Sequence, residues 1–501
     1  MMRRRGDFQF MFQTHPSLSI RRGLVAASLA FLVLLSVAEA RDLYVAPGAA
    51  DAGAGEGSEA RPFTSLDHAV KQLEPGDTLL VKAGVYKLTE PLRLGPGGRE
   101  GAWVVIKAAG DGEAIIDGGD WKHTPQVSAR LGGTGMIHVE GPSFLRIEGL
   151  TLKNSLAMGI FVRGPSHHVD IVNVKTEHTY SCGIGAWNTH DIRVLHCTVT
   201  DANNLEMRDL EQPKPREAPH EAISLGGVSD FEVAFNHIHD SHKEGIDVKE
   251  ASRNGRVHHN VVRRVHRQAL YADAWYGMLE NVSFDHNYVE DCEWGVVLSC
   301  EGEGAWMRKI WVHNNVFVRT RGSGVYFGRW GLDGPRRDIV IAHNTLVRNG
   351  AVGHWAGGTG GIDLRSPVAE AITVVNNIVV DSGAFGIGSV QLKENDDNAT
   401  VRHAEVRGNL VFPWVAKVAE PTDSTSRYGV SRAFARSATL VQDPRFVAPE
   451  SGDFRLVDNS PARGRAVELK EALPHAKRAR DLGASEDALQ FARKAFSAGK
   501  K

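Results

Sequence analysis

The stretch Glu244-Gly-Ile-Asp-Val-Lys-Glu250, continuing as Ser252-Arg-Asn-Gly-Arg-Val-His-His-Asn260, decides the fold because both of its halves recur along the chain. In the first half a small residue opens a short strand whose side chains alternate. Ile246 and Val248 face one way, Asp247 and Lys249 the other. The frame returns as Gly159-Ile-Phe-Val-Arg163, Gly183-Ile-Gly-Ala-Trp187, Ala222-Ile-Ser-Leu-Gly226, Ala269-Leu-Tyr-Ala-Asp273, Gly295-Val-Val-Leu-Ser299, Gly324-Val-Tyr-Phe-Gly328 and Gly361-Ile-Asp-Leu-Arg365. The second half, apolar-x-apolar-x-x-Asn-x-apolar, returns around Asn236, Asn260, Asn287, Asn315, Asn344, Asn377 and Asn409, at intervals of 24, 27, 28, 29, 33 and 32 residues. Leu150, Val174 and Cys197 hold the same place in earlier copies.

A period of this size with several short strands and no long helix describes a solenoid, here an all-β parallel β-helix with regular coils from about 145 to about 411. Successive coils pair through their backbones at roughly 4.8 Å, so equivalent residues stack in columns. The asparagines then read as bend residues that tolerate the left-handed conformation and hydrogen-bond along their column.

Length does not force a split into domains, because a solenoid grows by adding coils. Charges balance to a formal net of -2 across 501 residues, which argues against a general nucleic-acid binder. Arg21-Arg22, the apolar run Gly23 to Val37 and Ala38-Glu-Ala40 together read as a leader and signal peptide over 1–40. The expectation is a secreted or periplasmic chain, starting near Arg41, with no membrane association after cleavage. Cys182, Cys197, Cys292 and Cys300 are too few for a disulfide scaffold and read as buried thiols.

Within the β-helix domain, 41–465, residues to about 120 form the N-terminal cap. Thr64-Ser-Leu-Asp67 is a capping-box pattern for a short helix over Leu66 to Leu73, ended by Pro75-Gly76. An insert from Asn203 to Pro219 and a second excursion from Gly350 to Gly361, carrying Trp355, interrupt the period as loops do on a binding face. Residues 466–501 alternate Ala, Leu, Lys and Glu at helical spacing and predict a C-terminal helical tail.

The end segments carry a family resemblance. Pro62-Phe-Thr-Ser-Leu66, Ala69-Val70 and Pro75-Gly-Asp-Thr-Leu-Leu-Val-Lys-Ala-Gly-Val-Tyr86 resemble the N-terminus of secreted right-handed β-helix proteins of the pectate-lyase-like superfamily. Val441-Gln-Asp-Pro-Arg-Phe-Val447, Gly452-Asp-Phe-Arg-Leu456 and Asn459-Ser-Pro-Ala462 are similar to the way many of them close their last coil. The resemblance implies a right-handed parallel β-helix over nearly all of the mature chain.

Stacking the outward columns puts Ser224, Asp247, Tyr271 and Val297 in one line and Gly226, Lys249, Asp273 and Ser299 in the next. Asp247, Lys249, Tyr271 and Asp273 thereby share a patch. Glu221 and Glu244 lie just upstream, His220, His242 and Arg267 at the preceding turn, Trp275 and Glu301 just after, and Arg365 farther along. These are the substrate-binding candidates. Such a groove suits an acidic polysaccharide or oligosaccharide. Eliminating across a uronate needs a group to neutralise the carboxylate, a base for the C5 proton and an acid for the leaving oxygen.

Glu244 to Gly255, with Leu270-Tyr-Ala-Asp-Ala-Trp275 one coil later, resembles β-helix polysaccharide lyases of the alginate-lyase type. That resemblance implies β-elimination on a uronate-containing glycan, Lys249 as the catalytic lysine and Tyr271 as proton donor or partner of the base. The arginine-bearing pattern of chondroitinase-type lyases and the calcium cluster of pectate lyases are not found. An adjacent Asp273 would raise the Lys249 pKa, the wrong direction for a base.

Two other readings stand beside it. Asp247 and Asp273 are about 8 Å apart by backbone spacing, inside the roughly 6.5–9.5 Å range of an inverting glycoside hydrolase. With Glu244 the same acids could hold Ca²⁺, although no cofactor is required. A binding solenoid without catalysis would use Trp187, Trp275 and Trp294 as sugar platforms. His258, His259, His286, His313 and His343 lack zinc-ligand spacing and read as turn residues. The expected state is a monomer.

Overall fold

Three parallel sheets wind along the described residues of the computed structural model, one strand of each in every regular coil. Two have 13 strands, from Asp42–Val45 to Ala404–Arg407 and from Gly84–Lys87 to Thr439–Leu440. The other has 11, from Leu92–Arg93 to Ile387–Gly388. The structure describes residues 39–48, 55–119, 133–207, 218–351, 353–355, 359–388, 390–391, 404–413, 429–430 and 439–499. Nearly all of the expected leader, and residues 208–217 of the insert, lie outside these. No described helix is long and apolar enough to cross a membrane.

The columns inferred from the glycine-led frame hold residue for residue. Ser224 pairs with Asp247, Asp247 with Tyr271 and Tyr271 with Val297; Gly226, Lys249, Asp273 and Ser299 form the adjoining line. Between them Ile223, Ile246, Leu270 and Val296 stack inward with no more than 0% exposure, alongside Leu225, Val248, Ala272 and Leu298. Like stacks on like, so one continuous apolar core runs down the solenoid.

The asparagine column is a buried ladder. From Asn236 to Asn377 each side-chain amide donates to the next asparagine's Oδ1 at 3.0 Å and to a main-chain carbonyl, while each Oδ1 also accepts the preceding asparagine's backbone N–H. Every polar atom of these buried amides is thereby satisfied. The expectation that the asparagines themselves adopt the left-handed conformation is corrected. The residue before each one does so: Phe235, His259, His286, Asn314, His343 and Asn376, with φ between 52° and 60°.

The N-terminal helix is shorter than expected, Leu66–Val70, and its N-cap is Ser65, whose Oγ accepts the His68 N–H at 3.2 Å. Leu66, Ala69 and Val70 enter the core. The C-terminal helix is also shorter, Glu486–Ala498, with Ser485 as its N-cap. It lays Ala488, Leu489, Ala492 and Phe496 against Tyr288, Val316 and Val318 of a 13-stranded sheet. All four cysteines are free and buried, as the sequence suggested.

Candidate functional site

On the outer face of the 11-stranded sheet, the strands Ile246–Lys249, Gln268–Ala274 and Trp294–Cys300 line a cleft of about 810 Å³. Six carboxyl residues line it (Glu221, Glu244, Glu250, Asp273, Glu293 and Glu301), together with Trp187, Tyr271, Trp275, Trp294, Trp330 and Trp355. The cations are Lys243, Lys249 and Arg267, with His220 and His266 at the margin. The grooves beneath the C-terminal segment are smaller, 370 to 700 Å³.

Nine of the sequence candidates meet here: His220, Glu221, Glu244, Lys249, Arg267, Tyr271, Asp273, Trp275 and Glu301. Three do not. His242 turns away and joins Asp201 at 2.8 Å. Arg365 is buried against Asp363 and stands over the Tyr326 ring. Asp247 lies beneath the floor with no exposed surface, so the outward charges of this column are covered, contrary to expectation. Lys249 and Asp273 are buried as well, at 7% and 5% exposure.

The covering wall is aromatic. Trp275 Nε1 donates to Asp273 Oδ2 at 2.9 Å, and the Trp187 ring lies under the Lys249 ammonium, 5.4 Å from its centroid. Trp294 stacks on Tyr326 at 4.3 Å. From the excursion after Gly350, His354 Nε2 and Trp355 Nε1 reach Glu293 Oε1 at 2.8 and 3.1 Å.

Lys249 reaches back one coil instead of pairing with its stacked neighbour Asp273. Its Nζ is 2.8 Å from Glu221 Oε2 and 3.6 Å from Asp247 Oδ2. Ser224 Oγ also donates to Glu221, and Lys243 lies within 3.9 Å of Glu221 and 3.7 Å of Glu244. Arg267 holds Glu244 at 3.1 Å. Burial by itself would raise the Glu221 pKa, but the Lys249 and Lys243 charges overcome it and bring the carboxyl down to about 2. Burial favours the neutral amine of Lys249, yet Glu221 and Asp247 outweigh it and hold its pKa above the usual lysine range. This pairing works against the base role that the family resemblance suggested for Lys249.

The other carboxyls go the opposite way. Burial first, then Glu301, pushes Asp273 well above the ordinary carboxylate range. Asp247 is raised by burial and by the Glu221 charge, and neither of its oxygens has a hydrogen-bond partner. The protonated form is the one such an environment favours. Tyr271 donates its hydroxyl to Glu301 Oε1, and burial raises its pKa far enough to keep it a donor.

The Ca²⁺ expectation for Asp247, Glu244 and Asp273 does not fit. Among the described residues, only His167, His168 and His190 bring three ligand atoms within 4.8 Å of one another. The Lys249 ammonium already occupies the cationic position beside Asp247.

Lys243, Glu250, His266, Gln268, Glu293 and Trp330 complete the cleft and were not singled out in the sequence. A usable signal existed for some. Counting back from the strand register, Glu221, Glu244, Gln268 and Trp294 form one column and His220, Lys243, Arg267 and Glu293 another. Trp330 and Trp355 arrive on loops that carry no repeat period.

Residues 135–317, which span these coils, match the family model described as a right handed beta helix region. An uncharacterized protein of Bacillus subtilis, YwoF, is 25% identical over 456 residues, covering 84% of this chain and 92% of YwoF. Pectate lyase PEL9 of Emericella nidulans is 28% identical over 156 residues, 30% of this chain and 37% of that enzyme. The crystal structure of pectate lyase Pel9A aligns over 89% of this chain and 96% of its own, at 16% identity and a TM-score of 0.48. The coil architecture makes the chain a parallel β-helix, in keeping with the right-handed β-helix model matched over 135–317.

Proposed function

We propose that this chain is a polysaccharide-acting enzyme that cleaves its glycan by acid–base hydrolysis. Asp273 gives a proton to the leaving oxygen, and Glu221 is the ionised carboxylate that activates water or stabilises the developing positive charge. The observation that carries this reading is the divergence of two carboxyls in one cleft. Glu221 is held down to about 2 by its lysines, while burial holds Asp273 up. Pairs pushed apart in this way divide into acid and base. Asp273 Oδ1 is buried and has no hydrogen-bond partner in the protein, an environment that favours the protonated carboxyl. Asp247, the other acid of the expected pair, is sealed below the floor and serves this reaction only by lying beside Lys249.

The indoles support a sugar ligand, since their faces offer broad apolar platforms beside polar edges. The charge balance favours a neutral glycan over the acidic one expected from sequence. All three lysine and arginine side chains of the cleft are engaged with Glu221 or Glu244. A uronate would meet Glu301 and Glu250 without a dedicated counter-charge.

The second reading, β-elimination on a uronate, draws support from the relative named a pectate lyase. One assay separates the two. The full chain is incubated with neutral β- and α-linked polysaccharides, and in parallel with alginate, pectate and glucuronan. New reducing ends without an ultraviolet-absorbing unsaturated uronate are expected, from neutral substrates. Unsaturated products would replace this proposal with the lyase. Binding of a glycan without turnover would leave a carbohydrate-binding solenoid.

A further inference from the structure

Away from the cleft, on the first 13-stranded sheet, His167-His168 and His190-Asp191 sit on neighbouring strands, His167–Val172 and His190–Leu195, with His167 directly opposite His190. Alternation along a strand would send His167 and His168 to opposite faces. The left-handed backbone at His168, φ 51°, breaks that alternation, and the two Nδ1 atoms come within 2.7 Å of each other. Two imidazole nitrogens at that distance share one proton, since only one of them can donate. The His190 ring lies 4.7 Å from that of His167 and stacks on it at 8°. Ligand atoms of all three rings fall within 4.8 Å of one another.

A carboxylate is already in place. Asp191 Oδ2 lies 2.7 Å from His190 Nδ1 and 3.6 Å from His168 Nδ1. Phe144 packs on the His168 ring at 4.5 Å and Trp103 on Phe144 at 5.8 Å, giving the group an apolar backing. Such a shell and a carboxylate partner orient imidazole ligands and raise their basicity.

We infer that His167, His168 and His190 form a binding site for a borderline divalent transition metal such as Zn²⁺. The metal takes the place of the proton shared by His167 and His168, which passes to Nε2 of the ring that carried it so that both rings bind as neutral imidazoles, and His190 turns its half-exposed ring out of the stack to supply the third nitrogen. Asp191 accepts from that ring or completes the tetrahedron. A related trio explains why the site is here and not elsewhere. His258 and His259 also approach at 2.8 Å through Nδ1, but their neighbour His286 is tied to Asp285 and Ser485, and the C-terminal helix covers His259 through Phe491.

The test uses full-length protein freed of metal by a chelator and titrated with ZnCl₂ by calorimetry and with CoCl₂ by visible absorption. The expected result is one equivalent per chain and the intense visible bands of tetrahedral Co²⁺. His190→Gln and His168→Gln should each weaken Zn²⁺ by roughly tenfold or more, with metal-free melting unchanged, whereas His178→Gln, at a surface pair with Asp201, should not. Absence of stoichiometric binding, or binding that survives both substitutions, overturns the site.

Discussion

Lys249 and Glu221, 28 residues apart, meet at 2.8 Å beneath an indole wall, both almost fully buried. Removing one partner of a buried pair strands the other charge, which costs about 3–5 kcal/mol. Lys249→Met should therefore lower unfolding stability by that order, and adding Glu221→Gln should restore part of the loss. A double-mutant cycle in urea measures the coupling. The pH dependence follows from the depressed Glu221 pKa. Its stabilisation is present above the unfolded carboxyl value of about 4.3 and is lost as pH falls through about 2. Additive single and double mutants would show that the pair is not coupled.

Asp273 must keep its proton to act as the acid, and burial and the Glu301 charge shift it toward that form. The turnover rate should fall as pH climbs through the Asp273 value. Asp273→Asn should reduce kcat by about 10²–10⁴-fold and flatten that alkaline limb. Full activity in this variant would remove Asp273 from the reaction.

Trp275 tunes the same group. Its N–H bond to Asp273 Oδ2 favours the ionised carboxyl, so it pulls the Asp273 pKa down against burial. Trp275→Phe keeps an aromatic face and loses the donor. The descending limb of the pH–rate profile should then move to higher pH. A profile that stays in place, or moves to lower pH, would contradict this assignment.

Two asparagine ladders offer a contrast in burial. Asn315→Ala removes the acceptor used by both the backbone and side-chain N–H of Asn287, and the donor to Phe284 O. Each buried orphan costs about 1–3 kcal/mol, so a large drop in melting temperature is expected. Asn281, on the exposed ladder to Asn254, should change stability by no more than about 0.5 kcal/mol as alanine.

The amino-acid sequence by itself determined the coil, its columns and most of the cleft residues. Repeat period and strand alternation are local, and parallel stacking converts a period into a spatial neighbour without further information. Asp247 opposite Tyr271 and Lys249 opposite Asp273 were therefore legible before any coordinates. Tertiary structure alone decided what those residues are chemically. Whether an outward charge meets water depends on what covers it, and the cover comes from Trp187, Trp275 and the aperiodic loops bearing Trp330 and Trp355. Once water is excluded, Lys249 takes the carboxylate it can reach along its flexible stem, Glu221 in the coil before, and leaves Asp273 with a raised pKa. Side-chain reach and burial are properties of the packed surface, and no repeat in the sequence encodes them.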